Sequence, residues 1–482
     1  MWKWATGTGF PGRRLSYVVS LPAILALLLS VCTAMAAAQV HQVSPSDLFA
    51  SAQSQSKHPK KKAIAAEKPS PQPSPAFSIA VGPLGFAPPS LWYMGGHTSQ
   101  VTLDFLDETT LLFTFRIPGL IARDHSESDK DDLTGSFQER NIRALVLSLP
   151  SGKITAEATW RLHDFSAYLW MLKDHRFILR DRNLLQFGDT SLNLTPFLRF
   201  RGPVRYIDLD PNEQFLVAGT VEPIAPGSQR ARSRSALDLQ LDPGWSSNGV
   251  ATAVSTDPGT MQPATENLLR ILRIKDGQVA FLSRPETDSV VHLPVDGEGY
   301  YDALRGNGRK WLISYEHFSG AANPILEVES TCHPRLDALA PGFVLASGCL
   351  PSGERQLTVV SRDKRRLWDV SIAPTHVWPI LARAADAPRL ARATLDVTHP
   401  IGPSSPLSET DIRGQSVQVY DLADGKLELT VPVSPTLDGG GSFALSPSGM
   451  RFATLNAGAI QVYELPPVPP LPQSTETEAS KP

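Results

Sequence analysis

The densest group of chemically active side chains in this sequence is the segment Arg123–Asp132, which reads RDHSESDKDD. Its aspartate, glutamate and histidine side chains are oxygen and imidazole donors of the kind that divalent cations take as ligands. The segment lacks the fixed acidic spacing and the central glycine of an EF-hand loop. We therefore interpret it as a solvated loop between two strands, with a divalent cation site as the alternative.

A second acidic stretch, Asp208–Glu213, reads DLDPNE. Aspartate and asparagine side chains cap tight turns by accepting hydrogen bonds from nearby backbone N–H groups. Because strand-like runs flank the stretch on both sides, we predict a turn between strands here and not a metal loop.

Two cysteines, Cys332 and Cys349, lie outside the N-terminal export signal described below. A pair of cysteines in an exported chain predicts a disulfide, because such bonds form and persist in oxidising compartments. Two buried reduced thiols are the alternative. A catalytic cysteine is not expected, since no Cys-x-x-Cys spacing and no thiolate-activating surroundings are present.

The sequence contains no other constellation that matches a known catalytic arrangement. It has no Gly-x-Ser-x-Gly elbow, no His-Glu-x-x-His pair, no P-loop and no dinucleotide-binding fingerprint. Several histidines are scattered without the spacing of a ligand pair: His292, His317, His333, His376 and His399. The tryptophans form no regular repeat, and packing explains them. We therefore predict no catalytic residue, no metal ligand and no cofactor.

The chain has 482 residues, of which 41% are hydrophobic and 19% are charged, and its formal net charge is −3. This length is enough for one large domain with a sizeable hydrophobic core. The charge gives no electrostatic reason to expect nucleic acid or an anionic membrane surface as a partner.

Both ends of the chain differ in composition from its centre. Residues 1–38 have a basic start, an apolar run and a small-residue end, which together predict a secretory signal peptide. An uncleaved membrane anchor is the alternative, since the apolar stretch is just long enough to span a bilayer. Residues 39–76 form a Pro-, Ser- and Lys-rich linker and residues 466–482 a Pro-rich tail, and we predict that both are disordered. We expect the protein to be exported, either periplasmic or secreted.

The central region, residues 77–465, consists of short alternating runs broken by turn residues. In Val417–Leu465 the period-two alternation is interrupted every six to ten residues by Gly, Pro, Asp or Asn, which is typical of short antiparallel strands. About seven such units can be marked, and the last shows only three strands. A ring of such units must close, so we predict that an N-terminal strand, Phe77–Val81 or Leu91–Met94, completes the seventh.

The same stretch resembles the closing repeats of a WD-repeat β-propeller. Tyr420-Asp421 stands where that family has Trp-Asp at the end of a blade's third strand, and Gly425-Lys426 stands in the turn that follows. Trp368-Asp369 is a literal Trp-Asp pair, and Gly96-His97 resembles the dipeptide that opens a repeat. The resemblance implies an all-β fold, a β-propeller of about seven four-stranded blades closed by an N-terminal strand. It also implies that His97, and more distantly His163, hydrogen-bonds within its own blade.

Propellers present loops around a central channel, and the fold itself does not fix their task. The export signal, the repeat pattern and the lack of a catalytic constellation favour an exported binding scaffold with an unknown protein or carbohydrate partner. The alternative is a propeller-type enzyme, either a metal-assisted lactonase or hydrolase or a dehydrogenase, with a site on the propeller axis. A structural surface-layer component is a third hypothesis. No nucleic-acid partner is expected, and membrane contact is expected only through an uncleaved signal segment.

Overall fold

The computed structural model describes residues 73–87, 101–118, 139–163, 167–224, 265–285, 293–401, 408–436 and 441–469, together with Leu471. These residues form seven four-stranded antiparallel sheets. The sheets are the blades of a β-propeller around a central channel, so the predicted all-β propeller is confirmed. The described residues contain no helix with the length and apolar character needed to cross a bilayer.

The first strand of the chain, β1 (Phe77–Ala80), belongs to the last blade, and the next twelve strands build blades 1 to 3 in chain order. Blade 1 consists of β2 (Val101–Asp107), β3 (Thr110–Ile117), β4 (Arg140–Ser148) and β5 (Lys153–Leu162). Blade 2 consists of β6 (Leu169–Leu172), β7 (Arg176–Asp181), β8 (Leu184–Gly188) and β9 (Leu194–Arg199). Blade 3 consists of β10 (Val204–Leu209), β11 (Phe215–Pro223), β12 (Thr265–Arg273) and β13 (Val279–Ser283).

Blades 4 to 6 follow the same order. Blade 4 consists of β14 (Val295–Asp296), β15 (Gly299–Arg305), β16 (Lys310–His317) and β17 (Ala322–Glu329). Blade 5 consists of β18 (Arg335–Ala340), β19 (Phe343–Cys349), β20 (Arg355–Ser361) and β21 (Arg366–Ile372). Blade 6 consists of β22 (His376–Arg383), β23 (Arg389–Val397), β24 (Ile412–Asp421) and β25 (Leu427–Val433), with a single 3₁₀ turn at Glu409–Asp411 before β24.

Blade 7 is closed by the first strand of the chain. Its inner strands are β26 (Phe443–Leu445), β27 (Arg451–Asn456) and β28 (Ala459–Glu464), and β1 pairs with β28 as the outermost strand. The register joins Phe77 to Val462 and Ala80 to Ala459. The predicted closure by an N-terminal strand is therefore confirmed, with β1 as that strand. The other candidate, residues 91–94, lies outside the described residues.

The two ends of the propeller are defined by its connections. We label the strands of each blade A to D from the channel outward. The A–B and C–D turns lie at one end, which we call the A–B end, while the B–C and D–A connections lie at the opposite end, the B–C end. Because strand D begins and strand C finishes at the A–B end, the chain enters β1 and leaves β28 there.

The turn between β24 and β25 shows how local sequence shapes the blades. Asp421 Oδ1 accepts a hydrogen bond from Ala423 N at 2.8 Å, and Gly425 has a φ of +71°. A Cβ at Gly425 would lie 2.7 Å from the indole of Trp368 in blade 5. Glycine therefore serves both the left-handed backbone and the close approach of the tryptophan.

The hydrophobic core is divided into clusters that lie between neighbouring blades. In one of them, Leu345 and Val359 of blade 5 pack with Leu390 and Leu422 of blade 6. Trp368 belongs to the same cluster and donates from Nε1 to Leu422 O at 2.9 Å, so its role is packing between blades, as predicted.

The chain remains packed for a short distance beyond β28. Pro466 O accepts a hydrogen bond from Arg389 Nη2 at 2.8 Å, and Leu471 packs against the core between blades 5 and 6. Ordered contacts therefore extend past Leu465, into the segment predicted as a disordered tail. The rest of that tail, the signal segment and nearly all of the linker lie outside the described residues.

Candidate functional site: the channel and its two ends

The channel carries polar side chains on the inner strands of blades 3 and 5. Tyr206 Oη donates to Asp208 Oδ2 at 3.0 Å, and Arg335 Nη2 donates to Asp337 Oδ1 at 3.0 Å. The inner strand of the intervening blade 4 is only Val295–Asp296. The two pairs consequently come close enough for the charges of one to shift the pKa of groups in the other.

These electrostatic effects fix the protonation of the cluster. Burial raises the pKa of Tyr206 well above its usual value, and the neighbouring Asp208 carboxyl raises it further. Burial lowers the pKa of Arg335, but Asp337, Tyr206 and Asp208 together outweigh burial, so the net direction is upward. The cluster therefore presents a protonated phenol and a guanidinium, which suits hydrogen-bonded recognition better than proton transfer.

Arg383, the last residue of β22, closes the channel at the A–B end. Its Nη2 donates to Asp210 O at 3.0 Å and Leu209 O at 3.3 Å in blade 3, and its Nη1 donates to Ala338 O in blade 5 at 2.9 Å. Asp210 O also accepts a hydrogen bond from Glu213 N at 2.9 Å within its own turn. The guanidinium adds charged donors to these carbonyl groups and ties three blades together across the axis.

The A–B turns are also joined to one another. Asp386 N in blade 6 donates to Pro447 O in blade 7 at 2.9 Å, and Ser448 N donates to Glu108 Oε1 in blade 1 at 2.7 Å. Lys173 Nζ of blade 2 lies 3.0 Å from Asp386 Oδ1. The A–B end is thus covered by interlocked turns.

The longest connections of the fold lie at the opposite end. One joins Ile117 to Arg140 in blade 1 and another joins Pro223 to Thr265 in blade 3, and both leave and return at the B–C end. Connections of this length are uncommon in compact domains and are typical of functional loops or linkers. The middle parts of both lie outside the described residues.

The predicted disulfide is present: Cys332 and Cys349 are bonded, with their Cα atoms 5.5 Å apart. Cys332 lies in the connection between blades 4 and 5, and Cys349 ends β19. Two hydrogen bonds reinforce the link, from Thr331 N to Cys349 O at 2.9 Å and from Cys349 N to Ser330 Oγ at 2.9 Å. The bond fastens this connection at the B–C end.

Asp104, on the inner strand of blade 1, is an acid in an unusual environment. Although the residue is only half-buried, burial raises its pKa to about 7, and a hydrogen bond with Thr102 offsets this only in part. Thr102 Oγ1 lies 2.8 Å from Thr114 Oγ1, which lies 2.5 Å from Tyr168 Oη. A carboxyl with such a pKa can take up or release a proton near neutral pH.

His163 makes the kind of hydrogen bond that the WD-repeat resemblance implied. Its Nδ1 lies 2.7 Å from Asp181 Oδ2, and its backbone N donates to Asp181 Oδ1 at 2.8 Å. His163 opens the connection into blade 2, and Asp181 ends β7 of that blade. The hydrogen bond raises the pKa of His163. His97 lies outside the described residues.

The predicted turn at Asp208–Glu213 is confirmed. Asp210 Oδ1 accepts hydrogen bonds from Gln214 N at 2.6 Å and from Phe215 N at 2.7 Å, so this aspartate caps the turn. The charged segment Arg123–Asp132 lies outside the described residues, and its interpretation stays a prediction.

The described histidines are dispersed over the blades. His376 lies 3.3 Å from Asp396, and His399 lies 3.2 Å from Asp411. Across the part of the chain that the structure describes, no group of three or more His, Cys, Asp or Glu side chains is placed to hold a metal ion.

Sequence reasoning missed the residues that shape the channel. Arg383 lies 173 positions from Asp210, and no local pattern links them. Asp104 lies within β2. Sequence alternation cannot tell whether such an aspartate is solvated or lies beside a tyrosine of the next blade, as Asp104 lies beside Tyr168.

Comparisons with known proteins concern the fold alone. No family model and no curated protein matches the chain. Among solved structures, the uncomplexed acylaminoacyl peptidase of Pyrococcus horikoshii aligns with a TM-score of 0.42 and 10% identity, over 78% of this chain and 53% of that one. This chain therefore spans about half of the peptidase's length.

Two further structures align over most of their own length. The β-propeller domain of the trilobed protease from Pyrococcus furiosus has a TM-score of 0.40 and 8% identity, over 77% of this chain and 96% of that one. A chain of a mitotic checkpoint complex has a TM-score of 0.42 and 11% identity, over 86% and 99%.

Proposed function

We propose that this β-propeller is an exported binding scaffold that takes a protein or carbohydrate partner at its B–C end. The observation that carries the proposal is the difference between the two ends. Arg383 and the joined turns cover the A–B end. The ends of the longest connections and the exposed Arg335 of the channel cluster lie at the B–C end.

The path of the chain supports the same orientation. The chain enters the propeller at β1 and leaves it after β28, both at the A–B end. A tether that precedes β1 therefore joins the propeller at the covered end, where β1 begins. Export itself is supported by the sequence of residues 1–38 and agrees with the Cys332–Cys349 bond, because disulfides persist in oxidising compartments.

The blades belong, in this proposal, to a divergent WD-repeat type. The pair of His163 and Asp181, 2.7 Å apart, supports this assignment, since the family uses such a histidine within its own blade. Replacing His163 by glutamine tests it: a structural role predicts reduced stability and unchanged partner binding at permissive temperature.

The proposed face is tested by blocking each end separately. Asn307→Cys places a thiol in an exposed B–C turn of blade 4, and Lys426→Cys places one in an exposed C–D turn of blade 6. Each thiol is coupled to a polyethylene glycol chain, and partners are captured from the protein's own compartment. We expect the Asn307 conjugate to lose the partner and the Lys426 conjugate to retain it; the reverse result contradicts the proposal.

Asp104 supports a second candidate, an enzyme that uses this carboxyl for proton transfer. Two observations support this candidate. The pKa of Asp104 is raised to about 7, and its carboxyl hydrogen-bonds Thr102, the first of a chain of hydroxyl groups that ends at Tyr168. Turnover of a panel of esters and lactones by the wild type, lost in a folded Asp104→Asn variant, would favour this candidate. Equal rates in both proteins would remove it.

A further inference from the structure

We infer that the B–C end of blades 2 to 5 binds an acidic segment of a partner protein. The inference rests on the proposed function, because it names the kind of partner that the scaffold takes.

Arginines without partners carry the inference. Five described arginines have no side-chain hydrogen bond, ion pair or ring contact, and all lie at the B–C end: Arg199, Arg201, Arg205, Arg309 and Arg355. The first four are exposed and Arg355 is half-buried. Guanidinium groups recognise carboxylates through parallel N–H donors, so these five are available for an acidic ligand.

The described arginines of the A–B end contrast with this set, since they have partners within the propeller. Arg362 Nη2 lies 2.7 Å from Asp296 Oδ2, and Arg389 Nε lies 2.7 Å from Glu428 Oε2. Arg383 donates to three carbonyl groups. The net charge of −3 for the whole chain conceals this difference between the ends.

Three of the unpartnered arginines form a row from the rim to the channel. Arg199 ends the outermost strand of blade 2, Arg201 follows in the connection, and Arg205 lies on the inner strand of blade 3. The pairing of β10 with β11 has a bulge between Val204 and Tyr206, so Arg205 has no partner in the register. Such bulges redirect a side chain, and Arg205 is exposed.

An apolar pair beside the arginines points to a protein partner. Leu304 and Leu312 are paired across β15 and β16 and are 47% and 36% exposed. Arg305 and Arg309 flank them in the chain. Arginine beside exposed apolar side chains is typical of protein interfaces, whereas a carboxylated polysaccharide has no side chains to place on a leucine pair. The occupant that fits both features is a peptide segment with acidic and apolar residues.

The test measures binding of a fluorescent peptide of glutamate and leucine residues to the full chain by anisotropy. An all-glutamate peptide and alginate serve as competing probes. We expect Arg199→Gln/Arg201→Gln/Arg205→Gln to weaken binding of the mixed peptide by roughly tenfold, since several charge pairs are lost together. Leu304→Ser/Leu312→Ser should also weaken it. The matched control is Lys153→Gln/Lys275→Gln/Lys426→Gln, three exposed lysines of the A–B end, which should leave binding unchanged.

Three results would overturn the inference. Equal weakening by the lysine and arginine variants would mean that overall charge governs binding. Equal binding of the all-glutamate peptide or alginate, with no effect of the leucine variant, would mean that any polyanion is accepted. If the peptide does not bind but the Asn307 conjugate still loses a captured partner, this inference fails while the binding scaffold stands. If the peptide does not bind and the Asn307 conjugate keeps its partner, both proposals fail.

Discussion

At the scale of single residues, Arg383 links three blades, because its hydrogen bonds run from blade 6 to blades 3 and 5 across the channel. Its three acceptors are the backbone carbonyl groups of Leu209, Asp210 and Ala338, which belong to two other blades. The side chain therefore connects parts of the ring that the blade-to-blade core does not.

Replacing Arg383 by methionine keeps most of the aliphatic volume and removes the donors. We expect the free energy of unfolding to fall by about 2 kcal/mol, since hydrogen bonds from a charged donor are lost. Urea unfolding followed by tryptophan fluorescence measures the change. Lys275→Met, at an exposed lysine of the same end, is the control and should have no measurable effect.

Asp104 predicts a specific dependence of stability on pH. Burial raises its folded-state pKa to about 7 from 3.8. Between these values the folded state holds a proton that the unfolded state has released, so this group's contribution to stability falls as pH rises toward 7. An Asp104→Asn variant lacks this titration, and we expect it to gain stability relative to the wild type between pH 4 and pH 7.

Melting temperatures of both proteins across this pH range test the prediction. A difference that does not change with pH would show that Asp104 is ionised in the folded state at all of these values.

At the scale of elements, period-two alternation indicates most of the strands, but three strands depart from it. In β23 the alternation is interrupted by Arg389 and Arg392, so the pattern does not predict a strand there. Both arginines are buried, and Arg389 pairs with Glu428, which lies 39 positions away. A pattern that assigns charges to the surface cannot anticipate a buried pair of this kind. Strands β8 and β18 are short and contain no β-branched residue, so strand propensity gives little signal for them.

Strand β1 yields a prediction for the whole of blade 7. Ile79 is buried in a cluster with Phe113 of blade 1 and Ile460 of β28. Deleting residues 77–80 removes this contact and leaves β28 as an open edge, so we expect loss of the cooperative fold. Circular dichroism on heating measures this, and deletion of residues 39–72 is the control. An unchanged melting temperature after the first deletion would contradict the proposed closure.

The disulfide between Cys332 and Cys349 leads to a prediction about the stability of the connection between blades 4 and 5. The bond closes a loop with a sequence separation of 17 residues. In the loop-entropy account, a Cys332→Ala/Cys349→Ala variant should lose about 3 kcal/mol of unfolding free energy. The wild type under reducing conditions should approach the variant, while the variant should not respond to the reductant.

At the scale of the whole molecule, the seven blades and their closure were predictable because turn residues divide the chain at regular intervals. The covered A–B end was not, since its contacts join residues such as Ser448 and Glu108 that are 340 positions apart. Ring closure pairs β1 with β28, and only the folded ring reveals which turns meet.

The path of the chain predicts how the molecule stands on a surface. When the full chain is attached through its N-terminal segment to a supported bilayer, a fluorophore at Lys426→Cys should lie closer to the surface than one at Asn307→Cys. Energy transfer to a dye in the bilayer measures the two distances. Equal transfer from both positions would contradict a fixed orientation with the A–B end toward the support.

The closure by β1 also determines how the propeller bears a mechanical load. In the proposed attachment, a tether would pull on β1 from the A–B end, while a partner held at the B–C end would pull the rest of the ring in the opposite direction. The residue pairs from Phe77–Val462 to Ala80–Ala459 are then loaded together, in shear, instead of being peeled apart one by one. Strands loaded in this direction share the force among all their hydrogen bonds, so in this arrangement the ring would resist tension at β1, the strand that closes it.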